Sequence, residues 1–311
     1  MILLGGILSE PPLRLVIDRL RELGAEIVTL NQRRFPQCAV RLEISKGRVG
    51  GVLDVEGTTY PLAGFAGAYL RLIDDLELPE LRAESEDSAL ARKCRGIHDT
   101  LLRWMDVAPG CMINRSSPSA SNMSKPFQAQ IVRRVGFRIP ETLITTDPDA
   151  VRAFRAAHSR IIYKSISGTR SVVQTINAED LDRLDDIRWC PTQFQAFVEG
   201  TEVRVHVVGN QTFAAAVRTE ATDYRYAVQQ TGTPAELRPV ILSDELAARC
   251  VRLNQTIGLE ISGIDLKVTP DDQVYCFEVN PSPAFSYYEQ HTGLPIAQAI
   301  AEHLLSGQRS V

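Results

Sequence analysis

The sequence predicts an α/β (α+β) chain with an open α/β domain first, a small α/β domain in the centre and a domain built on an antiparallel sheet last. Three observations indicate this class. The length of 311 residues exceeds what one small hydrophobic core organises. A strand, a helix and a second strand follow one another over residues 1–30, and an acidic β-hairpin spans residues 263–283. The predicted domains are residues 1–112, 113–198 and 199–311.

The composition is that of an ordinary globular protein, with 44% hydrophobic and 23% charged residues. A net charge of −4 argues against a nucleic-acid-binding surface as the main function. The apolar residues 1–8 have no basic leader, so we expect neither a signal peptide nor a membrane span, and a cytoplasmic location. The six cysteines show no Cys-x-x-Cys spacing, which predicts free, mostly buried thiols rather than zinc ligands or disulfides.

The first domain begins with a buried strand, after which Pro11 and Pro12 open a helix that ends at Gly24. The strand at residues 26–30 completes a β-α-β unit. Arg71, near the end of a later strand, either points into a cleft or forms a salt bridge at the surface. The other predicted elements are two short strands, the strand that carries Arg71 and a charged helix, within residues 40–62, 66–73 and 84–106.

A serine-rich linker over residues 114–122 precedes the central domain. Ser124, Lys125 and Pro126 then open a helix, because proline is tolerated in the first turn, and Gly136 ends it. The elements that follow are a strand, a helix, a second strand and a short acidic helix, at residues 141–145, 147–158, 160–164 and 178–186.

A small polar loop, Ser-Ile-Ser-Gly-Thr-Arg-Ser, follows the strand that ends at Lys164. Its backbone N–H groups and hydroxyls, with Ser167 and Gly168 at the centre, can cradle a phosphate that Lys164 meets as a point charge. The loop is not a Walker A motif, which needs Gly-Lys-[Ser/Thr] at the start of a helix. A plain hairpin turn is the alternative interpretation.

The third domain opens with two strands joined by a turn at residues 199–201. A strand that runs into a glycine turn can offer main-chain groups to an adenine edge, and Glu202 can take ribose hydroxyls. His206 alternates with Glu202 and Arg204 on one face, and we interpret it as a packed or hydrogen-bonded strand residue rather than a general base. A strand, a long polar loop that looks functional, a helix and a closing amphipathic helix are predicted at residues 211–218, 219–234, 244–257 and 294–305.

The acidic hairpin carries a predicted register. A turn centred between residues 271 and 272 places Asp265 opposite Glu278 and Lys267 opposite Cys276. Alternation then sorts the side chains into two faces. The apolar face holds Ile264, Leu266, Val268, Tyr275, Phe277 and Val279, and the polar face holds Asp265, Glu278 and Asn280.

Directly opposed carboxylates destabilise a sheet, so a cation is expected between Asp265 and Glu278. Two carboxylates and the amide oxygen of Asn280 are hard ligands that suit Mg²⁺. An edge hairpin whose acids face water is the alternative.

Several motifs occur together in one order along the chain. They are Lys125, Lys164 with its loop, the Gln195-Ala196-Phe197-Val198 segment with Glu202-Val-Arg204, Asp265, Glu278-Val-Asn-Pro-Ser-Pro at 278–283, and Thr292-Gly293. In order and spacing they resemble the ATP-grasp superfamily, and within it the RimK-like ligases. The resemblance covers about residues 112–305. It implies an ATP-grasp fold and a ligase that activates a carboxylate as an acyl phosphate, which an amine or hydroxyl then attacks.

The resemblance also implies roles for individual residues. Phosphates are held by Lys125 and Lys164, with Ser167 and Gly168 of the loop among the nucleotide-binding residues. The adenine is met by Gln195, Ala196 and Val198, and the ribose by Glu202. One or two Mg²⁺ ions, with Mn²⁺ as a possible substitute, are held by Asp265, Glu278 and Asn280. Arg204 and Arg225 face the γ-phosphate or the acyl phosphate.

Two positions depart from the family pattern, namely Ala196, where many relatives have glutamate, and Tyr226, where they have His or Asn. Residues 140–151 look like the branch that closes side-chain ester or amide rings in ribosomally made peptides. The function expected from the resemblance is a carboxylate-amine or carboxylate-hydroxyl ligase that acts on a peptide or amino-acid substrate. A macrocyclising ligase of a ribosomally made precursor peptide and a non-catalytic ATP-binding regulatory subunit are the alternatives. The expected partners are ATP and a small-molecule, amino-acid or peptide substrate, including a precursor peptide, with no nucleic acid and no membrane. A homo-oligomer, either a dimer or a tetramer, is also expected.

Overall fold

The computed structural model describes residues 1–165, 173–219, 232–233 and 235–307. Within these ranges the strands form four sheets, one parallel and three antiparallel. The α/β class predicted from the sequence is confirmed. None of the helices in the described ranges combines the length and the apolarity needed to cross a membrane.

The amino-terminal part is built on a parallel sheet of order β2-β1-β6-β7. Its elements are β1 Ile2–Gly6, α1 Pro11–Glu22, β2 Ile27–Asn31, β3 Ala39–Ser45, β4 Arg48–Val55, β5 Thr58–Pro61, β6 Gly67–Arg71, α2 Ala89–Val107 and β7 Cys111–Ile113. The β-α-β unit is confirmed, because β1 and β2 pair in parallel and α1 connects them. The apolar side chains of α1 at helical spacing, Leu13, Val16 and Leu20, are fully buried.

Residues 39–61 form three strands rather than the two predicted. Two-residue turns at Lys46-Gly47 and Glu56-Gly57 join them, and both residues of each turn have positive φ. Positive φ at both central residues is the type I′ geometry that matches the twist of an antiparallel hairpin. The two turns thus place three strands in a stretch whose alternation predicts two.

The central sheet has the order β10-β9-β11-β8. The elements of this region are α3 Ser116–Ser119, α4 Lys125–Arg134, β8 Thr142–Thr145, α5 Pro148–Ala157, β9 Ile161–Ser165, β10 Gln174–Thr175, α6 Ala178–Asp182 and β11 Thr192–Ala196. A small core of its own contains Val151, Ile161 and Phe194. The stretch expected to be a linker contains the short helix α3.

The carboxy-terminal sheet is antiparallel, with the order β14-β13-β12-β15-β16. Its elements are β12 Thr201–Val208, β13 Gln211–Arg218, β14 Glu236–Val240, α7 Asp244–Ile257, β15 Ile261–Val268, β16 Val274–Asn280, α8 Ser286–Thr292 and α9 Ile296–Ser306. Helix α4 packs on this sheet, since Ile131 shares a core with Val205 and Leu253. Helix α9 packs beside α1, since Ile300 shares a core with Ile17. The domain boundaries stay a prediction.

The register of the acidic hairpin is confirmed in one half and wrong in the other. Asp265 faces Glu278 as predicted, but Lys267 faces Tyr275 rather than Cys276, because the register shifts after Asp265. The extra residue, Phe277, forms a β-bulge. The shift moves Cys276 to the core face, where it is 2% exposed, and brings Phe277 to 5.8 Å from the Lys267 ammonium.

Tyr275 and Phe277 were therefore wrongly assigned to the apolar face. The reason is the turn, in which the Thr269 N–H donates to the Gln273 carbonyl and closes a five-residue loop centred on Asp271. A turn of odd length moves the pairing on its side by one residue. The bulge then restores the alignment of the acids.

Candidate active site

Charged and amide side chains from three adjacent strands share one face of the carboxy-terminal sheet. They are Glu202 and Arg204 on β12, Asp265 and Lys267 on β15, and Glu278 with Asn280 on β16. Strand pairing opposes Glu202 to Lys267, and Arg204 to Asp265. The corresponding ion pairs form, with the Lys267 nitrogen 3.4 Å from a Glu202 oxygen and the Arg204 nitrogen 2.7 Å from an Asp265 oxygen.

The opposed acids lie against two cations. Lys125, at the start of α4, forms an ion pair with Glu278, and Arg204 forms one with Asp265. Burial opposes ionisation of Glu278, but the charges of Lys125, Lys164 and Arg204 outweigh it, and the pKa of this carboxyl falls below its ordinary value. Glu278 is therefore ionised at neutral pH. The structure thus brings both predicted phosphate lysines and Arg204 around one carboxylate.

The donor set at this face suits a hard divalent cation. Asp265 and Glu278 are direct neighbours across two strands, and Asn280 follows on the same side of β16, opposite Gly263. Carboxylate and amide oxygens are ligands that Mg²⁺ accepts, together with substrate phosphates. The residues present therefore fit the implied metal.

Arg204 occupies space that only a glycine leaves open. The guanidinium lies over Gly263, where an added Cβ would sit 1.9 Å from the Nη2 atom. Arg204 is 6% exposed and its guanidinium carbon lies 5.8 Å from the centre of the Tyr288 ring. The absence of a side chain at Gly263 leaves room for the Arg204 guanidinium beside Asp265.

His206 is fully buried two residues after Arg204 and packs edge-on against Tyr288, with ring centres 4.8 Å apart. Among the residues that the structure describes, neither ring nitrogen has a hydrogen-bond partner. Burial, and then the charge of Arg204, hold the pKa of His206 well below its ordinary value. His206 is therefore a packed neutral histidine, which agrees with the sequence-based interpretation.

The predicted adenine-binding residues lie at the end of β11. The Gln195 side chain is buried and donates to the Thr142 hydroxyl at 2.9 Å, and the Ala196 N–H donates to the Glu141 carbonyl at 2.9 Å. Val198 follows in the segment that leads to β12. The contacts of these residues with adenine stay a prediction.

Phe197, between Ala196 and Val198, links the central and carboxy-terminal sheets. Its ring lies 3.6 Å from the Arg160 guanidinium carbon of the central sheet region and 5.0 Å from the Lys267 ammonium of β15. Both distances are within the range of cation–π attraction.

Lys164 lies near the end of β9, opposite Gln193 of β11. Ser167, Gly168 and Arg225 lie outside the described residues, so their assigned roles stay predictions.

Sequence reasoning missed two residues that contact the 278–283 stretch and left a third undecided. The sequence analysis assigns no functional role to Gln128 or Asn114, and it predicts Arg71 in a cleft or in a surface salt bridge. Arg71 is instead a buried side chain, 8% exposed, in a bidentate pair with Glu10. A signal for Gln128 existed, since it is a polar residue at helical spacing from the buried Ile131.

The class defined by this fold and site is the ATP-grasp ligases. The model of the RimK-like ATP-grasp domain matches residues 123–304, and the chain belongs to this family. The sequence-based prediction of family and ligase class is confirmed.

Relatives with assigned names include probable alpha-L-glutamate ligases. The one from Rhodopirellula baltica is 30% identical over 204 residues, which cover 61% of this chain and 49% of that protein. The one from Klebsiella pneumoniae is 27% identical over 209 residues, which cover 63% and 68%. The chain thus spans about half of the first relative's length and about two thirds of the second's.

Similarity to solved structures extends over nearly the whole chain. The ATP-grasp ligase PsnB, complexed with a phosphomimetic variant of a minimal precursor, Mg and ADP, is 26% identical with a TM-score of 0.81, and the alignment covers 98% of each chain. The macrocyclase MdnC from Microcystis aeruginosa, bound with the precursor peptide MdnA, is 25% identical with a TM-score of 0.81, covering 98% of this chain and 99% of that one.

Proposed function

We propose that this protein is an ATP-dependent ligase that activates a side-chain carboxylate of a peptide and joins it to a hydroxyl or amine of the same peptide. The observation that carries the proposal is the extent of similarity. PsnB and MdnC match over 98% of this chain, including its amino-terminal domain, with TM-scores of 0.81 and identities of 26% and 25%. PsnB is complexed with a minimal precursor and MdnC with a precursor peptide. A precursor peptide is therefore the proposed substrate.

The residues on the polar face supply what this chemistry needs. Lys125 and Lys164 bind the phosphates of ATP, helped by the loop that contains Ser167 and Gly168. Asp265, Glu278 and Asn280 hold one or two Mg²⁺ ions, and Mn²⁺ can substitute. Bound there, Mg²⁺ neutralises charge on the phosphates that face it.

The proximity of Lys125 to Glu278 supports this assignment. Phosphate oxygens bound by Lys125 would lie beside the carboxylate that holds the metal. Arg204, paired with Asp265, adds a further positive charge at the same place. Phosphoryl transfer requires positioning and cations more than a nucleophilic side chain. At the other end of the nucleotide, Gln195, Ala196 and Val198 meet the adenine and Glu202 takes the ribose hydroxyls.

The proposed reaction has two steps. A carboxylate oxygen of the substrate attacks the γ-phosphorus, the bond to the β-phosphate oxygen breaks, and ADP leaves. The hydroxyl or amine of the acceptor then attacks the acyl carbon, loses its proton, and inorganic phosphate leaves. The sum is loss of one water from the peptide for each ATP converted to ADP and phosphate.

Arg225 is assigned to the substrate carboxylate. In the sequence it stands between Tyr224 and Tyr226 in a polar stretch, and arginine offers the bidentate fork that matches a carboxylate. Arg204 would then face the transferred phosphoryl group.

A second candidate function is the addition of a free amino acid, such as glutamate, to an acceptor. The observation in its favour is the identity of 27–30% to probable alpha-L-glutamate ligases.

A non-catalytic regulatory subunit is disfavoured, because the chain retains the predicted lysines, arginines and oxygen ligands. A cytoplasmic homo-oligomer, as a dimer or tetramer, is the proposed form.

Mass spectrometry separates the two ligase functions. The protein is incubated with ATP, Mg²⁺ and either a short precursor peptide encoded by a neighbouring gene or a panel of amino acids and dipeptides. Loss of one water within a single peptide molecule supports the macrocyclase. Joining of two molecules with loss of water supports the amino-acid ligase and overturns the proposal. ATP consumption without added substrate does not separate the two functions, because both kinds of ligase are expected to consume little ATP when no acceptor is present.

A further inference from the structure

The loop that follows β16 contains no helix or strand of its own. It continues directly from the proposed metal ligands Glu278 and Asn280. Pro281 and Pro283 lack an N–H group, so the backbone at these residues can be fixed by hydrogen bonds only through its carbonyls. Three alternate carbonyls, those of Val279, Pro281 and Pro283, each accept a hydrogen bond from a side chain that is distant in the sequence. The pairs are Gln128 with Val279, Asn114 with Pro281 and Arg71 with Pro283.

Gln128 acts on Val279 as a neighbouring strand would. Its amide nitrogen donates to the Val279 carbonyl at 2.7 Å, and its amide oxygen accepts from the Val279 N–H at 2.9 Å. β16 is the last strand of its sheet, and Gln128, which is 2% exposed, satisfies this part of its free edge. Since Glu278 and Asn280 flank Val279, holding Val279 fixes the direction of both ligand side chains.

Asn114 uses its full hydrogen-bonding capacity. Its nitrogen donates to the carbonyls of Ile261 at 2.7 Å and Pro281 at 2.6 Å, and its oxygen accepts from the N–H groups of Glu260 at 2.8 Å and Ile261 at 3.1 Å. One amide makes at most two donations and two acceptances of this kind. Asn114 therefore joins the start of β15 to the loop.

Arg71 connects the loop to the amino-terminal sheet. Two of its nitrogens donate to the Glu10 carboxylate at 2.8 and 2.7 Å, and the third donates to the Tyr69 hydroxyl and to the Pro283 carbonyl, both at 3.2 Å. The bidentate pair with Glu10 fixes the plane of the guanidinium. The position of Pro283 is thus set by β6, which carries both Tyr69 and Arg71.

The held carbonyls orient a metal ligand directly. Ser282 lies between Pro281 and Pro283, and its N–H donates to the Asn280 side-chain oxygen at 2.8 Å. The direction of this N–H depends on where the two flanking carbonyls are held. The Asn280 oxygen can still accept a metal on its second lone pair.

We propose that Gln128, Asn114 and Arg71 are positioning residues, here called the loop clamp. They hold the end of β16 and the loop after it, residues 279–283, so that Glu278 and Asn280 present their oxygens to one divalent cation. The inference rests on the proposed function, because it takes the metal site as given. Through Arg71, the amino-terminal domain thereby takes part in setting the geometry of the metal site.

Arg71→Lys and Gln128→Met test the clamp from two different domains. Lysine keeps the charge but cannot fork between Glu10 and Pro283, and methionine keeps the length of Gln128 but cannot hydrogen-bond to Val279. We expect Mn²⁺ to bind about tenfold more weakly in the presence of ADP, as for other residues that orient metal ligands. Binding of ADP without metal is expected to be unchanged. Mn²⁺ is followed by electron paramagnetic resonance and ADP by calorimetry.

Arg33→Lys is the matched control, because Arg33 pairs with Glu80 at the exposed surface of the same domain. It is expected to leave Mn²⁺ binding as in the wild type. Hydrogen exchange of the Val279 amide adds a readout that needs no metal, and it is expected to accelerate in Gln128→Met. If one variant does not fold, the other decides.

Three outcomes are distinguishable. Weaker Mn²⁺ binding with unchanged ADP binding supports the clamp. A lower melting temperature with Mn²⁺ binding equal to the wild type overturns the clamp and leaves the proposed function standing. If the wild-type protein binds no Mn²⁺ in the presence of ADP, the metal site of the proposed function fails, and the clamp fails with it.

Discussion

Glu278→Gln is the substitution that tests the site most directly. It keeps the shape of the side chain and removes one charge. Because the pKa of Glu278 lies below its ordinary value, the substitution removes a full negative charge at neutral pH. The side chains of Lys125 and Glu278 are only 14% and 26% exposed, so this charge lies in a partly buried environment.

The size of the effect follows from this environment. At an effective dielectric constant near 20, two unit charges about 4 Å apart attract by about 4 kcal/mol. Part of this attraction is offset by the cost of burying the charges, so we expect about 3 kcal/mol of lost transition-state stabilisation. That loss corresponds to a decrease of about two orders of magnitude in kcat. Additional ATP is not expected to restore turnover, because the lost interaction is with the metal that acts on the transferred phosphoryl group, and occupancy by ATP does not replace it.

The assay is release of ADP with a peptide substrate at saturating ATP and Mg²⁺. The control is Asp272→Asn, which removes the same charge from the exposed turn of the same hairpin. Asparagine suits this position, where φ is 59°. Wild-type turnover in Glu278→Gln would refute the metal assignment, and an equal loss in Asp272→Asn would attribute the effect to the hairpin as a whole.

Three further predictions concern other residues. Arg225→Lys is expected to raise the KM for the carboxylate substrate more than the KM for ATP, because the charge survives and the fork is lost; equal changes would place Arg225 on the phosphates. His303→Gln is expected to lower stability below pH 6.5 and to have little effect near pH 10. Hydrogen bonds with Cys111 and Glu260 raise the pKa of His303 to about 10, so the stabilisation from the charged ring is lost as the pH rises through that value. A change in melting temperature that does not depend on pH would contradict this. His206→Phe is expected to leave the melting temperature at pH 8 unchanged or higher and to reduce the loss of stability below pH 6.5. The reason is that a buried neutral histidine resists protonation that the unfolded chain accepts. A large drop in melting temperature at pH 8 would show that the imidazole makes an essential polar contact.

The two histidines act in opposite directions because their surroundings differ. His303 is partly exposed beside a carboxylate, which favours the charged ring, whereas His206 is enclosed near Arg204, which favours the neutral ring. The His303 contribution is fully present only below the ordinary histidine pKa, and the His206 contribution only above it. Melting curves of the two variants against pH should therefore cross.

Local pattern alone determined much of the fold. The pattern predicted helix α1 from the helical spacing of Leu13, Val16 and Leu20 and from the stop at Gly24, since the helical repeat fixes which residues share a face. The strands on either side of this helix predicted the parallel unit. Alternation and turn chemistry likewise predicted that Asp265 faces Glu278. Short elements with little periodicity escaped this reasoning, including β7, β10, β14 and α8.

The tertiary structure decided which groups surround the acids and what holds them. No local signal places the bulge at Phe277, because a bulge depends on both the turn and the packing of the partner strand. The clamp residues lie 151 to 212 positions from the carbonyls that they bind. Sequence periodicity reports the burial of a side chain within its own element, whereas these hydrogen bonds exist only because α4, β7 and β6 are folded against the end of β16.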